Sequence, residues 1–137
     1  MATLTPPRYC CAHVDVATVS AVEAQAHSIE GIWLFTPVLR PDDRGVFLES
    51  FKDSVFTEAV GHRFDLKQMN ISVSKQGTVR GIHFADVPPG QAKYVQCFAG
   101  RILDIVVDVR VGSPTFGQWE AVELDSETRQ GLYIAEG

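Results

Sequence analysis

From Gly31 onward, apolar or alternating runs of about four to eight residues recur between clusters of Gly, Pro, Asp and Ser. A chain interrupted that often cannot build long helices. It has to bury alternate residues of short strands, as a β-sandwich or barrel does. Ile32 to Val38 is predicted as a strand, and Pro41-Asp42-Asp43-Arg44-Gly45 turns it into Val46 to Phe51. The one helix expected runs from Ser54 to Val60, with Asp53 as its cap and Gly61 as a left-handed stop. Strands follow over Phe64 to Val73 and Thr78 to Phe84, joined by Ser74-Lys75-Gln76-Gly77. The loop Asp86-Val87-Pro88-Pro89-Gly90 leads to Gln91 to Phe98, and Ala99-Gly100 has the form of a two-residue hairpin into Ile102 to Val109. Gly112-Ser113-Pro114-Thr115 turns into Trp119 to Leu124, and Gly131 to Ile134 starts one more strand.

Residues 1 to about 28 differ from the rest. Met1 to Cys11 holds Pro6-Pro7 and no clear period, and Val14 to Ala26 suits a strand, a weak helix or neither. They are taken as an undetermined leader, with one domain over residues 29–137. A chain of 137 residues is one ordinary domain. It buries roughly two-thirds of its unfolded surface without needing a disulfide or metal. A net charge of −5, with no cluster of Lys and Arg, excludes a nucleic-acid surface. No apolar run approaches the roughly 20 residues of a membrane span, and no secretion signal opens the chain. Cys10, Cys11 and Cys97 fit neither a bridge nor a zinc site, and unpaired thiols suit a reducing cytoplasm.

Two segments carry chemistry. Arg80-Gly81-Ile82-His83 offers an imidazole, which can take a proton near neutral pH. Gln91-Ala92-Lys93-Tyr94-Val95 offers an ammonium, which can hold the charge that develops when a carbon beside a ketone loses its proton. The bland alternative for His83 is a barrel histidine satisfied by a neighbour. Lys93, Val95 and Cys97 share one strand face, which points inward by composition. An inward lysine is paired with Asp104 or Asp108, or it lines a pocket for an anionic ligand. Gln68, Asn70 and Ser72 share another face, which is either solvent-facing or a wet pocket. Arg44, in a turn, is by itself a solvated residue.

The spacing from His83 through Lys93 to Gly100 resembles the first motif of cupin barrels. Ala85 and Lys93 stand where metal-binding cupins carry a second histidine and a glutamate, so the resemblance implies metal-free chemistry and no cofactor. Four ordered blocks sharpen this. D-D-R-G-V-F-L-E-S-F, Q-M-N-I-S-V-S-K-Q-G-T-V-R-G-I-H, P-P-G-Q-A-K-Y-V and D-I-V-V-D-V-R-V-G-S-P-T-F-G-Q-W together resemble the dTDP-4-dehydrorhamnose 3,5-epimerase family. The phrases Gly81-Ile82-His83-Phe84 and Pro88-Pro89-Gly90-Gln91-Ala92-Lys93-Tyr94 are most similar to its natural-product deoxysugar branch.

The resemblance implies an all-β, cupin-type antiparallel barrel or jelly roll with one short helix. It implies a cytoplasmic homodimer that epimerises a dTDP-4-keto-6-deoxyhexose at C3, C5 or both. His83 matches the base, Lys93 the cation that holds the enolate and also contacts substrate, and Asp104 joins them as the carboxylate beside Lys93. Arg44, Glu49, Gln68, Asn70 and Arg80 match residues that hold the nucleotide and its diphosphate. Serving one site from both Arg80 and His83 requires a bulge at Gly81 or a strand end. The family's later histidine-bearing strand, acid tyrosine and orienting aspartate match no position up to Gly137, so the resemblance implies an incomplete barrel. Tyr94 and Tyr133 are the substitute acids on offer. The alternative function is a catalytically inactive domain that binds a nucleotide sugar or pairs with another subunit.

Overall fold

The structure, a computed structural model, describes residues 22–85, 88 and 90–137. Its strands are β1 (Val22–Ala26), β2 (Ile32–Pro37), β3 (Arg40–Asp42), β4 (Gly45–Phe47), β5 (Lys93–Gln96), β6 (Arg101–Val107), β7 (Trp119–Asp125) and β8 (Gly131–Ile134). The one helix among the described residues is α1 (Asp53–Val60). The main sheet runs β1-β2-β8-β5, every pair antiparallel, and β3-β4 and β6-β7 form two separate hairpins. Among the described residues this is an antiparallel all-β fold with one short helix.

The main sheet is buried on both faces, and strand alternation sorts its residues. Ile32, Leu34, Val95, Leu132 and Ile134 face one way and pack with Ile29, Cys97 and the inner side of the β6-β7 hairpin, Val106, Val122 and Leu124. Trp33, Phe35, Tyr94 and Tyr133 face the other way, against Phe56 of α1 and against Phe64. Leu124, Leu132 and Phe56 are fully enclosed. Each contributes about 1.5–3 kcal/mol relative to exposure.

Two carboxylates anchor polar knots, one between the layers and one within the loop that follows β6. Glu120 on β7 accepts from Ser28 Oγ at 2.6 Å and Ile29 N at 2.8 Å, and lies 2.6 Å from His27 Nδ1. This pins the β1-β2 turn to the second layer. Burial pushes the Glu120 carboxyl up, but these hydrogen bonds outweigh it and hold the group below its usual range. Asp108, at the end of β6, is buried and accepts from Arg110 Nε and Nη2 at 3.0 and 2.9 Å, and from Ser113 Oγ and Thr115 Oγ1, both at 2.6 Å.

Several expectations change. Residues 64–73 and 78–84 are not strands, and Ile71, Val73, Val79 and Ile82 are between 75% and 93% exposed. No other described strand lies alongside them, so their backbone groups have no ladder to join. Ala99-Gly100 is not a hairpin turn. β5 pairs with β8 while β6 pairs with β7, so residues 97–100 carry the chain from one layer to the other. The strand expected over Val46 to Phe51 stops at Phe47.

Lys52, not Asp53, is the N-cap of α1 and makes no side-chain cap bond; Asp53 lies in the first turn, where its charge suits the helix dipole. Gly61 is the left-handed stop, at φ 87°. The leader expected over residues 1 to about 28 lies outside the described residues as far as residue 21, Cys10 and Cys11 included. Its last part, by contrast, is β1, paired with β2. Asp86, Val87 and Pro89 of the expected loop also lie outside the described residues. Among the described residues, no helix is long and apolar enough to cross a membrane.

Candidate active site

β5 positions the site. Lys93 shares the Val95 face, which looks toward the β6-β7 hairpin, and there it meets Asp104. Burial pushes the Asp104 carboxyl up, and the Lys93 ammonium partly offsets that rise. Asp108 is spoken for by Arg110, so of the two carboxylates weighed for Lys93 it is Asp104 that feels its charge. Lys93 Nζ also donates to the backbone oxygen of His83 at 3.3 Å. His83 is exposed, in the irregular segment that follows Gly81. Gly81 has φ 137°, a conformation that suits glycine, so the chain turns between Arg80 and His83. The opposite-face conflict between those two residues does not arise, because no strand is present to impose it.

The structure therefore brings the Lys93 ammonium to the His83 backbone on one side and to the neighbourhood of Asp104 on the other, with the His83 ring exposed. A neutral imidazole can accept a proton, and a half-buried ammonium backed by a carboxyl can bind an oxyanion. Among the described residues, no His, Cys, Asp and Glu side chains come together in a metal-holding group of three.

The five expected binding residues are not joined to that group by hydrogen bonds. Arg44 bonds to Asp42 within the exposed β3-β4 arm. Glu49 lies 3.4 Å from Lys52 and is about a third exposed. Gln68 Nε2 donates to Asn70 Oδ1 at 2.9 Å, and Arg80 Nε donates to Ser74 Oγ at 3.1 Å. All but Glu49 are exposed.

Tyr94 and Tyr133 sit on the opposite face of the sheet from Lys93, which removes both as acids for this group. Burial pushes the Tyr94 hydroxyl up to about 12, and it donates to the Ser50 carbonyl at 3.2 Å. Tyr133 is 2% exposed, and burial, followed by the charge of Glu136, raises its hydroxyl. The sequence reading missed what Tyr94 and Gln96 do together, since Gln96 Nε2 also donates to Ser50 O, at 3.1 Å. Only the face they leave from was legible, not the acceptor they share. Once Lys93 faces inward, period-2 alternation puts Tyr94 and Gln96 on the other side of the strand.

Residues 26–137 match the family model described as dTDP-4-dehydrorhamnose 3,5-epimerase. The chain is 60% identical over 114 residues to a dTDP-4-dehydrorhamnose 3,5-epimerase of Mycolicibacterium smegmatis, covering 83% of this chain and 57% of that one. It is 56% identical over 109 residues to a dTDP-4-dehydrorhamnose 3-epimerase of Streptomyces niveus, covering 80% and 53%. Its fold is similar to NovW, a 4-keto-6-deoxy sugar epimerase from the novobiocin biosynthetic gene cluster of Streptomyces spheroides. That match has a TM-score of 0.83 and 52% identity over 86% of this chain and 59% of NovW. It is also similar to ChmJ, a 3'-monoepimerase from Streptomyces bikiniensis solved in complex with dTDP-quinovose, with a TM-score of 0.77 and 50% identity over 81% of this chain and 56% of ChmJ. The chain spans about half the length of the curated relatives it matches.

Proposed function

The chain belongs to the dTDP-4-dehydrorhamnose 3,5-epimerase family, and on that footing we propose that it epimerises a dTDP-4-keto-6-deoxyhexose at C3, C5 or both. The setting is dTDP-rhamnose or antibiotic deoxysugar biosynthesis in the cytoplasm, where the buried Cys97 thiol stays reduced. His83 takes the proton from the carbon next to the C4 ketone. The C–H electron pair forms the C=C bond, and the carbonyl π pair moves onto oxygen, where Lys93 stabilises the enolate. Inversion requires a proton returned to the opposite face as the carbonyl re-forms, and neither Tyr94 nor Tyr133 is placed to deliver it. Arg44 and Arg80 hold the diphosphate, since guanidinium groups fit phosphate oxygens bidentately, while Glu49, Gln68 and Asn70 serve the nucleotide.

One observation carries this reading: Lys93 donates to the His83 backbone oxygen and acts on Asp104, so the two segments that carry the chemistry lie next to each other. The test is proton exchange. Incubated in D₂O with a 4-keto-6-deoxy sugar nucleotide, the parent chain incorporates deuterium at C3 or C5, and His83→Asn abolishes this because the amide has no basic lone pair. Exchange by His83→Asn at the parent rate would rule His83 out as the base.

The reading includes a homodimer. The β3-β4 arm is exposed along its whole length, and Phe47 on it is 66% exposed, which suits pairing with a second copy. Light scattering that gives the mass of a single chain at micromolar concentration would remove that part.

A further inference from the structure

We propose that Tyr94 and Gln96 are positioning residues that set the direction of Glu49, and so act on nucleotide affinity without touching the nucleotide. The proposal rests on the function read above. β5 has two working faces. Lys93 serves the proton-transfer group from one, and Tyr94 and Gln96 leave from the other. Both of those side chains end on one atom, the Ser50 carbonyl oxygen, which accepts from Tyr94 Oη at 3.2 Å and from Gln96 Nε2 at 3.1 Å.

Ser50 lies outside any strand or helix, between β4 and α1, so no ladder fixes its peptide. These two donors do that in place of a ladder. The next residue, Phe51, is wedged edge-on against the Tyr94 ring at 5.3 Å and packs on Phe56 and Phe64 at 5.5 and 6.0 Å. Glu49, the residue before, leaves this anchored point toward Lys52. Holding the Ser50 carbonyl limits the backbone paths open to Glu49, and the Lys52 contact then sets where its carboxylate ends.

The geometry suits a fixed clamp rather than a titrating one. Tyr94 is braced by Phe35, Phe51 and Phe64, with ring centroids 5.3 to 6.2 Å away. Its hydroxyl keeps its proton throughout the neutral range and donates at all working pH values. Gln96 Nε2 has a second acceptor, the Arg129 carbonyl at 3.5 Å, which holds its amide in the donating orientation.

The test uses the full chain with Tyr94→Phe, which removes the hydroxyl and keeps the ring, and with Gln96→Leu. dTDP binding is followed by calorimetry, deuterium incorporation at saturating keto-sugar nucleotide by NMR, and amide exchange over residues 48–52 by mass spectrometry. Each variant is expected to weaken dTDP binding about three- to tenfold, the size of one hydrogen bond's net contribution. The double variant should weaken it further. Deuterium incorporation at saturation should stay within about twofold of the parent, and exchange over residues 48–52 should quicken, while the thermal midpoint of Tyr94→Phe falls by no more than one hydrogen bond's net contribution accounts for. A merely structural role would lower stability and both activities together, and that pattern would overturn the proposal. Parent-like dTDP binding by both variants would overturn the clamp's role alone. No dTDP binding by the parent chain would overturn the functional reading and this role with it.

Discussion

Lys93 is a cation whose value depends on when negative charge appears. In the resting site it donates to a neutral carbonyl and sits near the half-buried Asp104, so its charge is partly used before any substrate arrives. Binding the ground-state sugar adds little demand on it. An enolate oxygen adds a full charge, and preorganised donors matter most at that moment. Lys93→Met keeps the length and apolar contacts of the side chain and removes only the ammonium. Turnover should therefore fall about 10²–10³-fold, while dTDP affinity stays close to the parent. The loss would also remove what offsets the burial of Asp104, so the Asp104 carboxyl should titrate higher in the variant, visible in a pH titration by NMR. Collapse of dTDP binding with normal turnover at saturation would instead make Lys93 a binding residue.

At the scale of elements, the sequence was most readable where a segment's neighbours are already in the described chain. Gly131 to Ile134 is the strand its apolar run predicted, because β2 and β5 flank it on both sides. Gly61 stops α1 at φ 87° as expected, since the rule needs only the local backbone. Asp53 misled by one position because an acidic residue suits both the cap and the first turn, and only the geometry at Lys52 separates them. The segments 64–73 and 78–84 have good strand composition, yet composition does not supply a pairing edge. Ala99-Gly100 shows the same lesson from the other side. A two-residue turn joins adjacent strands only if they pair, and β5 has its partner in β8. Of the site, strand alternation narrowed the carboxylate near Lys93 to Asp104 or Asp108, and the Arg110 bonds to Asp108 decide between them. The Ser50 clamp was not, because 44 and 46 residues separate its donors from its acceptor.

Over the whole molecule, proton uptake is coupled to two carboxylate knots, Glu120 between the layers and Asp108 within the loop after β6. Asp108 is held far below the usual carboxylate range, first by the Arg110 guanidinium and then by the Ser113 and Thr115 hydroxyls, against the opposing effect of burial. Glu120 is lowered by Ser28, His27 and the Ile29 N–H. A carboxyl depressed in the folded state stabilises the protein fully above its unfolded value, and that contribution is lost as pH falls toward the folded value. The ordinary values are 3.8 for Asp108 and 4.5 for Glu120, so the losses begin near pH 4.5 and deepen below it. Asp104 works in the opposite sense, because burial raises it and protonation relieves the folded state. It has one opposing charge nearby, whereas Asp108 and Glu120 are each fixed by several donors, so the acid-labile pair dominates. The thermal midpoint should therefore be flat from about pH 6 to 7 and fall steeply below about pH 4. Asp108→Asn should lower the neutral midpoint, with a loss of about 3 kcal/mol as Arg110 loses its charged partner, and should flatten the acid limb. An acid limb equally steep in Asp108→Asn would show that the pH dependence arises elsewhere in the fold.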